Sequence, residues 1–276
     1  MAAVVTSVWL GTAGWSYFPD WVGPFYPAGT RPGDALERYA EAFRFVEIDS
    51  TFYAAPEPDT VARWSEIMPD DFRVAVKAPR ALVQDTGLHP PDAAFEHFAH
   101  VLLAPLASRL ARVVVQMPPS FDRTPEHDVA LRAFCGRWAA AVPLAIELRD
   151  PSWLVQPVHE LLAVHDVAWV CNDVVGMPRV AVRTARSIAY VRLIGSHHGI
   201  EETATVQRPQ PEGRRFWVDQ VKAWAADDLD DVFLVVNNHY EGHAPATVRL
   251  LAEALLAAGV DVKTGAGRPE GQLPLF

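Results

Sequence analysis

The chain has 276 residues, of which 50% are hydrophobic and 21% are charged, so it holds enough apolar material for a full globular core. Its formal net charge of -10 argues against a surface that coats nucleic acid, although a locally basic cleft is compatible with that charge. The N-terminal segment lacks the basic region of a signal peptide, and no apolar run is long enough to cross a bilayer. Cys135 and Cys171 lie far apart in apolar segments. We expect two buried, reduced thiols in a cytoplasmic protein without a membrane partner.

Short apolar runs alternate with amphipathic segments along the chain, which indicates repeated strand–helix units. The predicted strands are Val8–Gly14, a strand that begins at Phe45, Phe72–Lys77, Val113–Gln116, Leu144–Leu148, Ala168–Asn172, Ile188–Ile194 and Val232–Val236. The predicted helices are Gly33–Ala42, Thr60–Met68, Asp92–Leu110, Pro125–Ala141, Val155–His165, Phe216–Ala226 and Ala244–Ala258. The segment Val174–Ser187 shows no helical pattern.

Strict alternation of strands and helices implies a parallel sheet with right-handed crossovers. Eight strands in this length predict an α/β fold, a single TIM-type (β/α)8 barrel with a long aromatic loop after the first strand. An open doubly wound sheet is the alternative, but Gly11-Thr12-Ala13-Gly14 lacks the spacing of its phosphate-binding loop. We therefore assign residues 1–263 to the barrel and residues 264–276 to a flexible tail.

The second predicted strand places two carboxylates on one face. Glu47 and Asp49 alternate with apolar residues, and hydroxyl-bearing residues follow where the strand ends. Two acids on one strand face are costly unless they line a polar site or belong to a buried ion network. We expect Glu47 to be deep and paired in a structural network, and Asp49 at the rim to serve the site.

Other polar residues fall at the carboxyl ends of the predicted strands, which form the active-site face of such barrels. Asp49 and Glu147 are the candidate catalytic acid and base. The candidate ligand-binding residues are Trp15, Tyr53, Lys77, Gln116, Arg149, Asp173, Arg192 and Asn237. Their cations suit an anionic group such as phosphate. The alternative is an internal salt-bridge network without chemistry, and for Glu47 and Glu147 both interpretations remain open.

Strand alternation also predicts which side chains face the barrel axis. Ala145, Glu147 and Arg149 should face inward, as should Tyr190 and Arg192. The apolar residues that should face the helices are Leu144, Ile146, Leu148, Val191 and Leu193. The density of acids and histidines at this face is low, so we expect no metal and no cofactor. The aromatic residues of the first loop could stack on a base or a sugar ring, but packing onto the barrel explains most of them better.

Several motifs resemble the YecE-like family, also known as domain of unknown function 72. They are GTAGWSY, FYP at Phe25–Pro27, VEIDSTFY, VKAP at Val76–Pro79, QMPPSF, IELRDPSW, Asn172-Asp173, YVRLIG and NNHYEGHA, in that order from near residue 9 to about residue 258. The resemblance implies a TIM-type barrel, in agreement with the strand count. It implies no particular reaction.

The last five residues form a separate motif. Glycines and a proline precede QLPLF, so we expect Gln272, Leu273, Leu275 and Phe276 to project as a short linear motif. The motif resembles the bacterial sliding-clamp-binding pentapeptide, with Pro274 as a mild departure. In such motifs Leu and Phe fill a hydrophobic pocket while Gln makes a polar contact. The alternative is a C-terminus that packs on its own barrel.

Three functions fit this sequence. The first is an enzyme, such as a hydrolase, that acts on a nucleotide or nucleic acid and is linked to DNA replication or repair by the tail. The second is a hydrolase or isomerase of a sugar or sugar phosphate, since paired carboxylates, cations and aromatics suit that ligand equally well. The third is a binding barrel without catalysis. The partner is thus an unknown small molecule or nucleic acid, with a sliding clamp as a further candidate.

Overall fold

The computed structural model describes residues 6–196, 198–227 and 229–265. Eight parallel strands form a closed barrel, because β1 pairs with both β2 and β8, and this confirms the predicted TIM-type fold. The barrel strands are β1 (Ser7–Ala13), β2 (Phe45–Ile48), β3 (Arg73–Lys77), β4 (Leu110–Gln116), β5 (Leu144–Glu147), β6 (Ala168–Val174), β7 (Ile188–Gly195) and β8 (Asp231–Val236).

Helices lie between the strands and cover the outside of the barrel. They are α1 (Ala35–Ala42), α2 (Pro58–Ile67), α3 (Arg80–Val83), α4 (Asp92–His97), α5 (Pro125–Trp138), α6 (Gln156–Val164), α7 (Pro211–Ala225), α8 (Asn238–Glu241) and α9 (Ala244–Ala257). As predicted, the chain between β6 and β7 contains no helix. The short helices α3 and α8 were not predicted, because four residues are too few to show a helical period.

The predicted helix Asp92–Leu110 is wrong in its second half. The α-helix ends at His97 and continues as a π-helical turn, Phe98–Leu102, and a 3-10 turn, Ala104–Leu106. Pro105 lies in that last turn and has no N–H to donate to an α-helical ladder. The chain must also reverse before β4 begins at Leu110.

Alternate strand residues face two separate apolar cores, as predicted. Leu144, Ile146, Leu148, Val191 and Leu193 belong to the core between strands and helices, whereas Ala145 and Tyr190 belong to the core inside the barrel. At the amino end of the strands the interior is filled by Trp9, Phe45 and Phe233, with the Phe45 and Phe233 ring centroids 5.0 Å apart. This aromatic layer closes the barrel from below, so access from solvent is at the carboxyl end.

The long loop after β1 packs onto the barrel through its aromatic residues, in agreement with the packing interpretation. Trp21, Phe25 and Tyr26 are buried, and the ring of Phe25 stacks 5.4 Å from that of Phe43. Phe52 is also buried, but it belongs to the loop after β2. Cys135 and Cys171 are buried free thiols, as expected.

A short ninth strand, β9 (Val262–Lys263), was not predicted and pairs with the amino end of β1. Thr264 then bridges to Phe43, and the N–H of Gly265 donates to the carbonyl of Ala42. The first two residues assigned to the tail are therefore bound to the barrel. Gln272, Leu273, Leu275 and Phe276 lie outside the described residues.

Candidate active site

A cluster of buried charges fills the barrel interior above the aromatic layer. The Arg192 guanidinium on β7 donates from Nη2 to Oε1 of Glu47 at 2.6 Å and from Nη1 to Oε2 of Glu147. Tyr190 donates its hydroxyl to Oε2 of Glu47 at 3.0 Å. We call Glu47, Glu147, Tyr190 and Arg192 the paired cluster. All four are at most 2% exposed, and every carboxylate oxygen in it has a donor.

Glu147 is held by a second cation as well. Arg149, two residues further along the same side of the chain, donates its Nε to Oε1 of Glu147 at 2.6 Å. Burial alone would raise the pKa of Glu147, but the charges of Arg149 and Arg192 outweigh it and lower the pKa to about 2. A carboxylate with both oxygens occupied and so low a pKa is a poor proton acceptor at neutral pH.

Lys77 is the last residue of β3 and faces the barrel axis with 8% exposure. Its ammonium lies 3.8 Å from the ring centroid of Phe52, and its carbonyl accepts a hydrogen bond from Thr51 at 2.7 Å. No ion pair or hydrogen bond joins this ammonium to another described residue. Burial and then the charge of Arg192 lower the pKa of Lys77 to about 8, against the opposing effect of Glu47 and Glu147.

Asp49 follows β2 directly and shares the inward side with Glu47. Within the described chain its carboxylate has no hydrogen bond or ion pair with another side chain. Burial, and then the nearby negative charge of Glu47, raise the pKa of Asp49, and the charge of Lys77 opposes this shift. Space beside the carboxylate is limited, since a Cβ on Gly14 would lie 3.0 Å from its Oδ1.

Asn172 lies on β6 at the register position of Arg192 and is 5% exposed. Its Nδ2 is buried and has no acceptor among the described residues, which is costly for a polar group unless a ligand or water supplies one. Gln116 on β4 is also buried, but its Nε2 donates to the carbonyl of Met117 at 3.0 Å.

Four residues at the carboxyl end thus retain unused polar groups. We call Asp49, Lys77, Arg149 and Asn172 the open cluster. With Gln116 between Lys77 and Arg149, they come from five successive strands, β2 to β6, and form one arc around the mouth of the barrel.

Of the other predicted ligand-binding residues, Arg192 belongs to the paired cluster, while Trp15 and Tyr53 lie in the loops after β1 and β2. Asp173 lies on the outer side of β6, where Arg179, Trp217 and Tyr240 donate to its carboxylate. Asn237 uses its Oδ1 to cap α8, accepting from the N–H of His239 at 2.9 Å. Trp15 packs edge-on against Trp64 of α2, and Tyr53 is 83% exposed.

Asn172 was absent from the predicted site residues, although its neighbour Asp173 was included. Strand alternation carries the missing signal, because Asn172 shares its side of β6 with the inward residues Ala168 and Val170. Thr51 and Phe52 were also missed as contacts of Lys77. They belong to a 3-10 turn, Ser50–Phe52, whose side-chain directions do not follow strand alternation.

Two loops are joined above the barrel. Asp20 of the first loop accepts hydrogen bonds from both the N–H and the hydroxyl of Thr203, each at 2.8 Å. Across the described ranges, no group of three or more His, Cys, Asp or Glu residues is placed to hold a metal ion. No helix in the same ranges is long and apolar enough to span a bilayer.

Comparison with known proteins agrees with the motif resemblance. The sequence model of the family described as "Protein of unknown function DUF72" matches residues 9–273. The chain is 27% identical to UPF0759 protein YunF of Bacillus subtilis over 278 aligned positions, covering 90% of this chain and 94% of YunF. It is 31% identical to UPF0759 protein YecE of Escherichia coli K12 over 154 positions, covering 55% of this chain and 52% of YecE.

Two solved structures share the fold. A DUF72 family protein from Thermotoga maritima has a TM-score of 0.77 at 24% identity, covering 91% of this chain and 99% of its own. A DUF72 family protein from Enterococcus faecalis has a TM-score of 0.71 at 18% identity, covering 96% of this chain and 99% of its own.

Proposed function

The chain belongs to the DUF72 family of TIM-barrel proteins. We propose that it binds a phosphate-bearing ligand at the mouth of this barrel. The observation that carries the proposal is the set of unused donors in the open cluster. Lys77 offers an ammonium, Arg149 offers the two Nη atoms that make no hydrogen bond to a described residue, and Asn172 offers Nδ2. Three donors at the same end of the barrel suit the oxygens of a phosphate.

The paired cluster supports this assignment by leaving the donors free. Glu47 and Glu147 are occupied by Arg192, Tyr190 and Arg149, so neither carboxylate neutralises the ammonium of Lys77 by direct contact. An anionic ligand would supply the missing counter-charge. It would also satisfy the buried Nδ2 of Asn172, which relieves a cost of about 1–3 kcal/mol.

The depth of these donors favours a small ligand or the end of a chain over the side of a duplex. Lys77 and Asn172 are 8% and 5% exposed, and a duplex presents its phosphates on a convex surface. The net charge of -10 also opposes tight duplex binding. A nucleotide, a sugar phosphate or a nucleic-acid terminus remains as the ligand class.

If the bound ligand is hydrolysed, Asp49 is the acid–base residue that the geometry favours. Its raised pKa keeps more of the protonated form near neutral pH, as a general acid requires. Glu147, the other candidate, is held by two arginines and has a pKa of about 2, so we leave it in the paired cluster. Binding without turnover of any phosphate ester would favour the non-catalytic barrel instead.

Isothermal titration calorimetry with inorganic phosphate and with adenosine monophosphate tests the proposal. We expect Lys77→Met and Arg149→Met each to weaken binding by about tenfold or more, because each removes a charge-assisted contact of roughly 1.5–3 kcal/mol. Lys222→Met, on the exposed face of α7, and Arg38→Met, in an exposed ion pair of α1, are matched controls. Failure of both ligands to bind the wild type would overturn the proposal.

We further propose that the QLPLF segment binds a sliding clamp. The described chain ends at Gly265, which donates to Ala42 below β2, at the amino end of the barrel. A pull-down with purified clamp should retain the full chain and lose a chain that ends at Gly271, and equal retention of both would reject the idea.

A further inference from the structure

We propose that Lys77 forms an imine with an aldehyde or ketone that carries a phosphate or carboxylate group. The inference rests on the proposed function, because the open cluster would hold the anionic group while Lys77 reacts with the carbonyl. It adds a covalent step and a substrate class to that function.

The placement of Lys77 is the first argument. A lysine held in an ion pair is kept protonated and turned toward its partner, whereas the ammonium of Lys77 has no ion pair with a described residue. The ring of Phe52 covers one side at 3.8 Å, and Thr51 holds the backbone of Lys77 through its carbonyl. The amine is therefore held in place at the mouth. When it is neutral, no hydrogen bond to a described residue occupies its lone pair.

The surrounding charges are the second argument. The negative charges near Lys77 are those of Glu47, Glu147 and Asp49. The positive charges near it are those of Arg149 and Arg192. Both glutamates are bonded to arginines, so their attraction for the ammonium is largely offset. Desolvation and the neighbouring guanidinium groups are the conditions under which protein lysines become nucleophiles. A pKa of about 8 agrees with this geometry.

The open cluster supplies the other parts of the reaction. In the first step the neutral amine of Lys77 attacks the carbonyl carbon and a C–N bond forms. The carbonyl oxygen takes a proton from the carboxyl group of Asp49, and the resulting carboxylate accepts the proton that the nitrogen loses. In the second step the hydroxyl leaves as water after taking a proton from Asp49. The products are a protonated imine on Lys77, one water and the Asp49 carboxylate, and no oxidant or reductant is consumed.

The anionic group of the substrate would lie toward β5 and β6. Arg149 and Asn172 follow Lys77 around the mouth, on the side away from Asp49 on β2. A 2-oxo acid or a phosphorylated hydroxyketone carries a carbonyl and an anion within a few bonds of each other. Either compound could reach Lys77 with its carbonyl while its anion contacts Arg149.

Borohydride trapping tests the step, and the chain provides its own controls because Lys77, Lys222 and Lys263 are its only lysines. The full-length protein is incubated at pH 7 with pyruvate or with dihydroxyacetone phosphate, reduced with sodium cyanoborohydride, digested and mapped by mass spectrometry. We expect the reduced adduct on Lys77 to exceed that on Lys222 by at least about tenfold, since the lower pKa leaves far more neutral amine. The two probes distinguish a carboxylate from a phosphate as the anion.

Variants separate this step from anion binding. Lys77→Arg should abolish the adduct and retain phosphate binding, because arginine keeps the charge and cannot form this imine. Asp49→Asn should slow adduct formation by about tenfold or more, through loss of proton transfer. Equal labelling of the three lysines in a protein that binds phosphate would overturn the imine and leave the proposed function standing. Selective labelling of Lys77 in a protein that binds no phosphate would overturn the anion site instead.

Discussion

The paired cluster comes from β2, β5 and β7, the open cluster comes from β2, β3, β5 and β6, and the two differ in how fully their polar groups are satisfied. In the paired cluster, Arg192 joins Glu47 of β2 to Glu147 of β5, and each carboxylate oxygen has a donor, while the Nε of Arg192 has no acceptor among the described residues. In the open cluster, Lys77 has no ion pair and Asn172 has a buried nitrogen without an acceptor among the described residues. The comparison indicates that the first cluster specifies the barrel and the second is available to a ligand.

Glu47 and Asp49 show the difference most clearly, because only Ile48 separates them and both face inward. Glu47 is fully buried and bonded to Arg192 and Tyr190. Asp49 is half-buried, has no such partner and has a raised pKa. Residue type and strand position are nearly the same, so the neighbours determine the role of each carboxylate.

The largest expected effect is on the paired cluster. Arg192→Met should lower the free energy of unfolding by about 3–5 kcal/mol, because it leaves two buried carboxylates without their shared cation. Urea unfolding followed by circular dichroism measures this change. Arg38→Met removes an exposed ion pair and should change stability by less than about 1 kcal/mol. Similar small losses in both variants would contradict the structural role of the cluster.

A smaller effect is expected from neutralising each acid of β2. Glu47→Gln should cost about 2–3 kcal/mol, since it weakens a buried charge-assisted bond to Arg192. Asp49→Asn should leave stability within about 1 kcal/mol of wild type and should not weaken phosphate binding, because it removes a negative charge near the proposed anion site. Urea unfolding and calorimetry with phosphate measure the two properties. A stable Glu47→Gln protein that has lost binding would reverse the two assignments.

Lys77→Met should stabilise the protein at pH 7 by about 1–3 kcal/mol, because it removes a buried charge whose protonated form is disfavoured. The pKa of Lys77 is about 8 in the folded protein and 10.5 in the unfolded chain. Between these pH values the unfolded chain binds more protons than the folded protein, so wild-type stability rises with pH. The advantage of the variant should therefore shrink as pH rises from 8 to 10. Urea unfolding at several pH values checks this, with Lys222→Met as the control. A constant difference would contradict the depressed pKa.

The smallest effect is expected at the rim. Tyr53 is 83% exposed and contacts Phe52 edge-on at 5.3 Å between ring centroids. Tyr53→Ala should change the free energy of unfolding by no more than about 0.5 kcal/mol. Loss of phosphate binding in this variant, measured by calorimetry, would support the predicted role of Tyr53 in the ligand site.

Much of the fold followed from local pattern. Apolar runs separated by amphipathic segments predicted all eight barrel strands, because side-chain periodicity reports which face of each element is buried. The same alternation correctly placed Glu147, Arg149 and Arg192 on the barrel axis. It failed for Asp92–Leu110, where Pro105 and the start of β4 interrupt the helix. It could not predict β9, whose two residues are held by pairing with distant β1.

By itself, the sequence of Phe45–Tyr53 determined that two carboxylates would face the interior at one end of a parallel barrel. Only the tertiary structure decided that Glu47 is paired with Arg192, 145 residues away, while Asp49 remains open beside Lys77. It also decided that Asn172 faces the mouth and that the carboxylate of Asp173 is occupied by Arg179. The physical reason is that burial, charge neighbours and hydrogen-bond partners come from other strands, and these set whether a polar group supports the fold or binds a ligand.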